Sequence, residues 1–212
     1  MAKCIIFGAA EFDRLHQPIE KDDLLIAADG GLKHFAKLDR APDVILGDFD
    51  SLGYIPDGAR VFPVEKDDTD VMLAIRHGLE AGCQVFFIYG GMEGKRLDHT
   101  IANLQALSFL RAHGARGYLI GREQVATVIE NEKAVFSGCE GILSVFCMGE
   151  PATGVTIREM KYQLEDGTLT ADFPLGVSNH FAGRNSEISV KNGKLLMIWD
   201  AKNPFPNFES FC

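Results

Sequence analysis

The sequence has no stretch near the ~18 uninterrupted apolar residues that a membrane helix requires, so no membrane-spanning segment is expected. The apolar run after Lys3 stops at Gly8. It is too brief for the hydrophobic region of a secretory signal and reads as a first buried strand. Basic residues are in short supply: 21 Lys and Arg stand against 30 Asp and Glu, giving a formal net charge of −9 and a pI near 5.1. Such a chain repels nucleic-acid phosphates, so no nucleic-acid partner is expected. Small phosphorylated ligands stay open, because a divalent cation can bridge carboxylates to phosphates. The five cysteines (Cys4, Cys83, Cys139, Cys147 and Cys212) are scattered, with no Cys-x-x-Cys pair. That argues against a zinc site and a disulfide framework, and predicts a reduced, cytoplasmic protein. Low-complexity segments and internal repeats are also lacking.

What is present is an ordinary globular mixture, 46% hydrophobic and 24% charged over 212 residues, enough for one or two domains. The first ~120 residues alternate two signals. Short apolar runs at Lys3–Phe7, Leu24–Ala28, Val44–Leu46, Val85–Tyr89 and Tyr118–Ile120 have the length of strands buried on both faces. Between them, Val71–Leu79 and Thr100–His113 keep helical spacing. Strands alternating with helices predict a doubly wound, mostly parallel sheet over residues 1–123.

From residue 124 to 212 the pattern is all-β, and a small sandwich is expected. Turn signals fall at Glu130-Asn131-Glu132, Ser137-Gly138, Glu165-Asp166-Gly167 and Lys191-Asn192-Gly193-Lys194. Asp166-Gly167 and Asn192-Gly193 read as type I′ hairpin dipeptides. Thr168–Phe173 and Glu187–Val190 alternate as half-exposed strands do. The proline-containing tail Asn203–Phe208 is not expected to continue a strand.

Acidic residues fall where predicted strands end. Asp29-Gly30-Gly31 follows Leu24–Ala28 and opens a helix, and Gly47-Asp48-Phe49-Asp50-Ser51 follows Val44–Leu46. The carboxyl ends of strands form the ligand crevice of open α/β sheets, so Asp29, Asp48 and Asp50 are expected on one edge. An extended Asp48-Phe49-Asp50 directs both carboxylates to one side and Phe49 to the other, a geometry suited to magnesium and phosphates. An acidic surface turn is the simpler alternative. Lys66-Asp67-Asp68-Thr69-Asp70 precedes the helical run from Val71. Local pattern favours Asp67 as a helix cap, with Asp68 and Asp70 at the positive end of the dipole. The alternative sends Lys66 to a phosphate and Asp67 or Asp70 to the metal.

Gly90-Gly91-Met92-Glu93-Gly94-Lys95-Arg96-Leu97-Asp98-His99 is a glycine-rich loop entering a helix. Glycines admit close backbone approach to a phosphate, and the helix N-terminus favours anions. The loop matches neither the Walker A nor the Gly-x-Gly-x-x-Gly spacing. Asp98 reads as a helix cap or a further ligand, and His99 as a core or surface histidine.

Taken in order, Ala28-Asp29-Gly30-Gly31, Pro42–Ser51 (which contains Gly47-Asp48-Phe49-Asp50), Lys66–Asp70 and Arg96-Leu97-Asp98-His99 closely resemble the bacterial thiamine pyrophosphokinases. Tyr162-Gln163-Leu164, Gly167-Thr168-Leu169-Thr170 and Gly176-Val177-Ser178-Asn179 resemble that family's thiamine-binding domain. The resemblance spans nearly the whole chain. It implies an α/β domain followed by a β-sandwich, and formation of thiamine diphosphate and AMP from thiamine and ATP with Mg²⁺. It also implies a homodimer with thiamine held between one subunit's α/β domain and the other's β domain. By position, Asp48, Asp50, Asp70 and Asp98 are then the metal and catalytic acids. Asp29, Gly30, Gly31, Lys66, Asp67, Thr69, Gly90, Gly91, Arg96 and His99 belong to the ATP site, and Tyr162, Ser178 and Asn179 to the thiamine pocket. Family members often read Gly-Leu before the Lys-aromatic pair. Here Ile157-Arg158-Glu159-Met160 precedes Lys161-Tyr162, and its bulk is expected to narrow or reshape that pocket. Two competing readings are a nucleotide-sugar glycosyltransferase, which shares the Asp-x-Asp clamp, and a sensor that binds without turnover.

Overall fold

The computed structural model describes every residue except Met1, Ser51, Lys66 and Cys212. Two compact units divide the chain, Met1–Arg122 and Glu123–Cys212.

In the first unit the apolar runs become strands β1 (Cys4–Phe7), β2 (Leu24–Ala28), β3 (Val44–Gly47), β4 (Arg60–Val61), β5 (Val85–Tyr89) and β6 (Arg116–Ile120). They pair in the order β6-β5-β1-β2-β3-β4, every pair parallel. All four residues of β1, and the last four of β2, β5 and β6, are buried. This is why those segments read as continuous apolar runs rather than alternating ones. Helix α1 (Asp70–Glu80) buries Ala74, Ile75 and Gly78, and α2 (Leu97–Ala112) buries Ala106, Leu107 and Leu110. A 3-10 helix, Asp29–Lys37, follows β2 directly.

The second unit is an antiparallel sandwich. Its strands are β7 (Gln124–Glu130), β8 (Glu132–Phe136), β9 (Ile142–Cys147), β10 (Ala152–Arg158), β11 (Leu164–Leu169), β12 (Gly176–His180), β13 (Ser186–Ser189), β14 (Lys194–Asp200) and β15 (Asn207–Ser210). One set pairs in the order β12-β9-β14-β7 and the other β11-β10-β13-β8-β15. Burial alternates along β8 and β9, so one face of each is inward. Trp199 and Phe136 meet edge to face at 5.4 Å in the core.

Three local expectations are corrected. Asp166-Gly167 does not reverse the chain. It lies inside β11, where the pairing with β10 shifts register and Asp166 takes a φ of +51°. The dipeptide's left-handed preference is used for a bulge, pinned by Lys191 on Asp166 at 2.7 Å. Asn192-Gly193 joins β13 to β14, which belong to different sheets, so it is a crossover and not a hairpin. Thr168–Phe173 contributes only its first two residues to a strand. The tail is also more ordered than its prolines suggest. Beyond Pro206 the amide donors return, and β15 pairs with β8, while Phe205 packs edge-on against Trp199.

Candidate active site

The carboxyl ends of β1, β2 and β3 open onto a cavity of about 240 Å³. Gly8 and Ala9 line it beyond β1, Ala28 and Asp29 at the end of β2, and Asp48 beyond β3. Asp68, Thr69, Asp70 and Val71 line it from the start of α1, and His99 from the first turn of α2. Ligand oxygens of Asp29, Asp48 and Asp50 all lie within 4.8 Å of one another. Asp29 is 9% exposed. Three carboxylates at that separation repel strongly, and hard oxygen donors of this kind suit Mg²⁺. The donor set therefore fits the expected metal.

The backbone that delivers them is unusual. Asp29 takes a φ of +47° and Phe49 a φ of +59°. The segment Asp48-Phe49-Asp50 is therefore not extended, as the sequence reading had it. Phe49 is nonetheless buried away from solvent, and the Asp50 N–H donates to Asp48 Oδ1 at 3.3 Å. A tight turn, rather than strand alternation, brings the two acids together.

The Lys66–Asp70 motif divides its labour. Lys66 lies outside the described residues. Asp67 is exposed and does not cap the helix. The cap is Thr69, whose Oγ1 accepts the Met72 N–H at 3.2 Å, because its extended φ and ψ place the hydroxyl over the first turn. Asp68 receives Arg76 Nε at 2.7 Å and a second guanidinium N–H at 3.3 Å. That guanidinium also sits 5.1 Å from the Phe109 ring centroid, so it ties the motif to both helices. The sequence signal for Asp68 was only its charge, since its partner is eight residues away.

Arg96 and Asp98 face each other, with Nε donating to Oδ1 at 2.9 Å. Hydrogen bonding from the Arg96 guanidinium holds the Asp98 carboxyl at about 2, well below the usual range. Neither lines the cavity, and Asp98 is not in the group formed by Asp29, Asp48 and Asp50. Two carbonyls of the glycine loop are engaged within the protein. The Gly90 carbonyl accepts the Ala10 N–H at 2.8 Å, and the Gly91 carbonyl accepts Asn103 Nδ2 at 2.8 Å. A Cβ on Gly90 would come within 2.3 Å of the Gly8 carbonyl oxygen, so close packing of the two loops explains that glycine. Gly30 and Gly31 are buried beside Asp29.

Sequence reasoning missed two contacts that hold the loop after β1, whose Gly8 and Ala9 line the cavity. Lys33 Nζ donates to the Ala9 carbonyl at 2.7 Å, and His34 Nε2 donates to the Ala10 carbonyl at 2.8 Å. Burial lowers the His34 pKa, favouring the neutral ring. The signal was the small-residue run Gly8-Ala9-Ala10 at a strand's carboxyl end.

In the β unit a second pocket of about 130 Å³ is lined by residues that include Tyr162, Leu164, Leu169, Leu175, Val177 and Asn179. Ser178 is not among its lining residues. Its φ is +59°, and its N–H donates to Ser144 Oγ at 3.0 Å. Of the segment expected to reshape the pocket, Ile157 lines it, while Arg158, Glu159 and Met160 do not. Arg158 pairs with Glu165 and Glu159 with Arg184, both at 2.8 Å, and Met160 is buried. Glu159 accepts a φ of +54° where the family often has glycine, and its side chain turns to an ion pair.

Two family models match the chain. Residues 15–119 match the thiamin pyrophosphokinase catalytic domain, and residues 127–195 match the thiamin pyrophosphokinase vitamin B1 binding domain. The chain belongs to the thiamine pyrophosphokinase family. The thiamine pyrophosphokinase of Bacillus subtilis (strain 168) is 25% identical over 189 residues, covering 84% of this chain and 88% of that protein. The thiamin pyrophosphokinase family protein of Enterococcus faecalis superposes with a TM-score of 0.77 at 24% identity, over 96% of this chain and 100% of that one. Thiamin pyrophosphokinase from Candida albicans gives 0.75 at 13% identity, over 94% and 88%. These structural likenesses show that thiamine pyrophosphokinases share this two-part α/β and β-sandwich fold.

Proposed function

We propose that this protein transfers the pyrophosphoryl group of ATP to the hydroxyl of thiamine, releasing AMP, at the cavity beyond β1, β2 and β3. The observation that carries this reading is the group of three carboxylates, Asp29, Asp48 and Asp50, within 4.8 Å at that sheet edge. Asp48 and Asp50 would hold Mg²⁺ beside Asp29 and Asp70, where the ion would neutralise charge on the ATP phosphates. Thiamine's hydroxyl oxygen bonds to the β-phosphorus, the bond from that phosphorus to the α-phosphate oxygen breaks, and AMP leaves with that oxygen. Such a reaction depends on positioning and charge stabilisation. A guanidinium offers five N–H donors, so Arg96 is suited to meet a phosphate while its Nε and a terminal nitrogen stay on Asp98, and His99 lines the same cavity. Tyr162 would offer its ring to the cationic thiazolium.

Asp70 is the favoured acceptor of the hydroxyl proton. It lines the cavity, whereas Asp98, held at about 2 by Arg96, is a weak base. Asp70→Asn is therefore expected to lower kcat by roughly a hundredfold or more, while Asp98→Asn alters chiefly the KM for ATP. Because Asp98 stays ionised down to about pH 2, the acid limb of the kcat profile should persist in Asp98→Asn. Loss of that limb would return the role to Asp98.

A homodimer with active sites at the subunit interface is part of the proposal, supported by exposed Phe173, Leu175 and Val177 on the β unit. A cytoplasmic location is supported by the scattered cysteines. Among the described residues no helix is long and apolar enough to cross a membrane. Incubation with thiamine, ATP and MgCl₂ should yield thiamine diphosphate and AMP in equal amounts, and a chelator should abolish both. Thiamine monophosphate with ADP would overturn the assignment of the attacked phosphorus.

A further inference from the structure

The β-unit pocket contains a side chain whose hydrogen bonds are directed at the protein itself. Asn179, on β12, is 4% exposed. Its Oδ1 accepts the Tyr162 N–H at 2.9 Å and the His180 N–H at 2.9 Å. Its Nδ2 donates to the Tyr162 carbonyl at 2.6 Å. One carboxamide thus meets both backbone polar groups of a single residue, as a neighbouring strand would. An asparagine side chain offers two acceptor positions and two N–H donors, and three of these four are spent here. Little is left for a ligand.

Tyr162 needs such a hold. It lies between the end of β10 at Arg158 and the start of β11 at Leu164, and it is 59% exposed. Packing therefore does little to fix the ring, and its place follows from its backbone. The Lys161 ammonium already sits 5.2 Å from the ring centroid, so a cation is stable near that ring. Neighbouring contacts reinforce the backbone position, with the Lys161 N–H donating to the His180 carbonyl at 3.0 Å.

We propose that Asn179 is a positioning residue for thiamine: its amide fixes the Tyr162 backbone, and through it the aromatic face that receives the cationic thiazolium. This rests on the reading that the Tyr162 pocket takes thiamine. Asn179 acts on the vitamin through Tyr162 and not by touching it.

The test compares Tyr162→Ala, Asn179→Asp and the double variant. Asn179→Asp keeps the acceptor for the two N–H groups but sets a carboxylate oxygen against the Tyr162 carbonyl. It is preferred to Asn179→Ala, which risks unfolding. Each single change is expected to raise the KM for thiamine about tenfold, with kcat within about twofold and the KM for ATP unchanged. The double variant should be no worse than the poorer single, because both changes remove one interaction. Amide exchange at Tyr162 should quicken in Asn179→Asp. Additive losses would show that Asn179 contacts thiamine independently and would overturn the proposal. Faster exchange with an unchanged KM would overturn it as well. An unchanged KM in Tyr162→Ala would instead remove the pocket assignment itself, and the positioning role with it.

Discussion

Asp48→Asn should lower kcat by on the order of a thousandfold while leaving the protein folded and slightly more resistant to heat. Both effects come from the same geometry. Asp48, Asp50 and Asp29 bring carboxylate oxygens within 4.8 Å of one another, at a sheet edge where Asp29 is largely buried. Without a cation this concentration of like charge destabilises the fold. Replacing one acid by its isosteric amide relieves repulsion, so the metal-free melting temperature should rise by a few degrees. The same change removes a hard anionic ligand, so a higher Mg²⁺ concentration should be needed for half-maximal activity. Sites that sacrifice stability for chemistry behave in this opposed way. Steady-state kinetics across a MgCl₂ series, together with thermal melts in chelator, would decide the matter. A kcat within twofold of wild type and an unchanged Mg²⁺ requirement would remove Asp48 from the metal site.

Gly31→Ala should destabilise the protein by about 3 kcal/mol or more, the upper end of what overpacking costs. A Cβ built on Gly31 lands 1.8 Å from the Phe7 carbonyl oxygen and 2.5 Å from its carbon. The obstacle is backbone of β1, a fully buried central strand paired on both sides, so no rotamer change relieves it. The 3-10 helix Asp29–Lys37 must move away, or β1 must. For a chain of this size the loss corresponds to a fall in melting temperature of roughly 6–12 °C. Asp29 lies two residues upstream, so the surviving folded fraction should also lose activity. Urea denaturation followed by circular dichroism gives the direct measure. A midpoint equal to wild type, with only the KM for ATP raised, would assign Gly31 to the nucleotide instead of to packing.

The contrast between these two positions shows what a sequence can carry. Asp48 announces a candidate site through its place at a strand's carboxyl end, although the short Asp-x-Asp pattern also reads as an acidic surface turn. Gly31 does not announce its role: beside an acidic motif it reads as a phosphate contact, and only the position of Phe7, 24 residues earlier, shows that it makes room for a strand. The same holds for Asp67 and Asp68. Both read as acids at a helix start. Which one meets Arg76 depends on how the loop turns before Thr69 caps the helix.

By itself the sequence determined the two-part architecture, because burial on both faces, burial on one face and helical amphipathicity each impose a different period. It determined the family as well, because the motifs keep their order along nearly the whole chain. Tertiary structure decided which acids cluster, bringing ligand oxygens of Asp29, Asp48 and Asp50 within 4.8 Å of one another and pairing Asp98 with Arg96. It also decided that Asp166-Gly167 bulges within β11 instead of turning, and that Asn179 grips the Tyr162 backbone. Those outcomes rest on hydrogen bonds and close approaches between residues distant in sequence or poised between two local conformations. Local pattern gives such residues more than one acceptable partner, and only the packed chain leaves one.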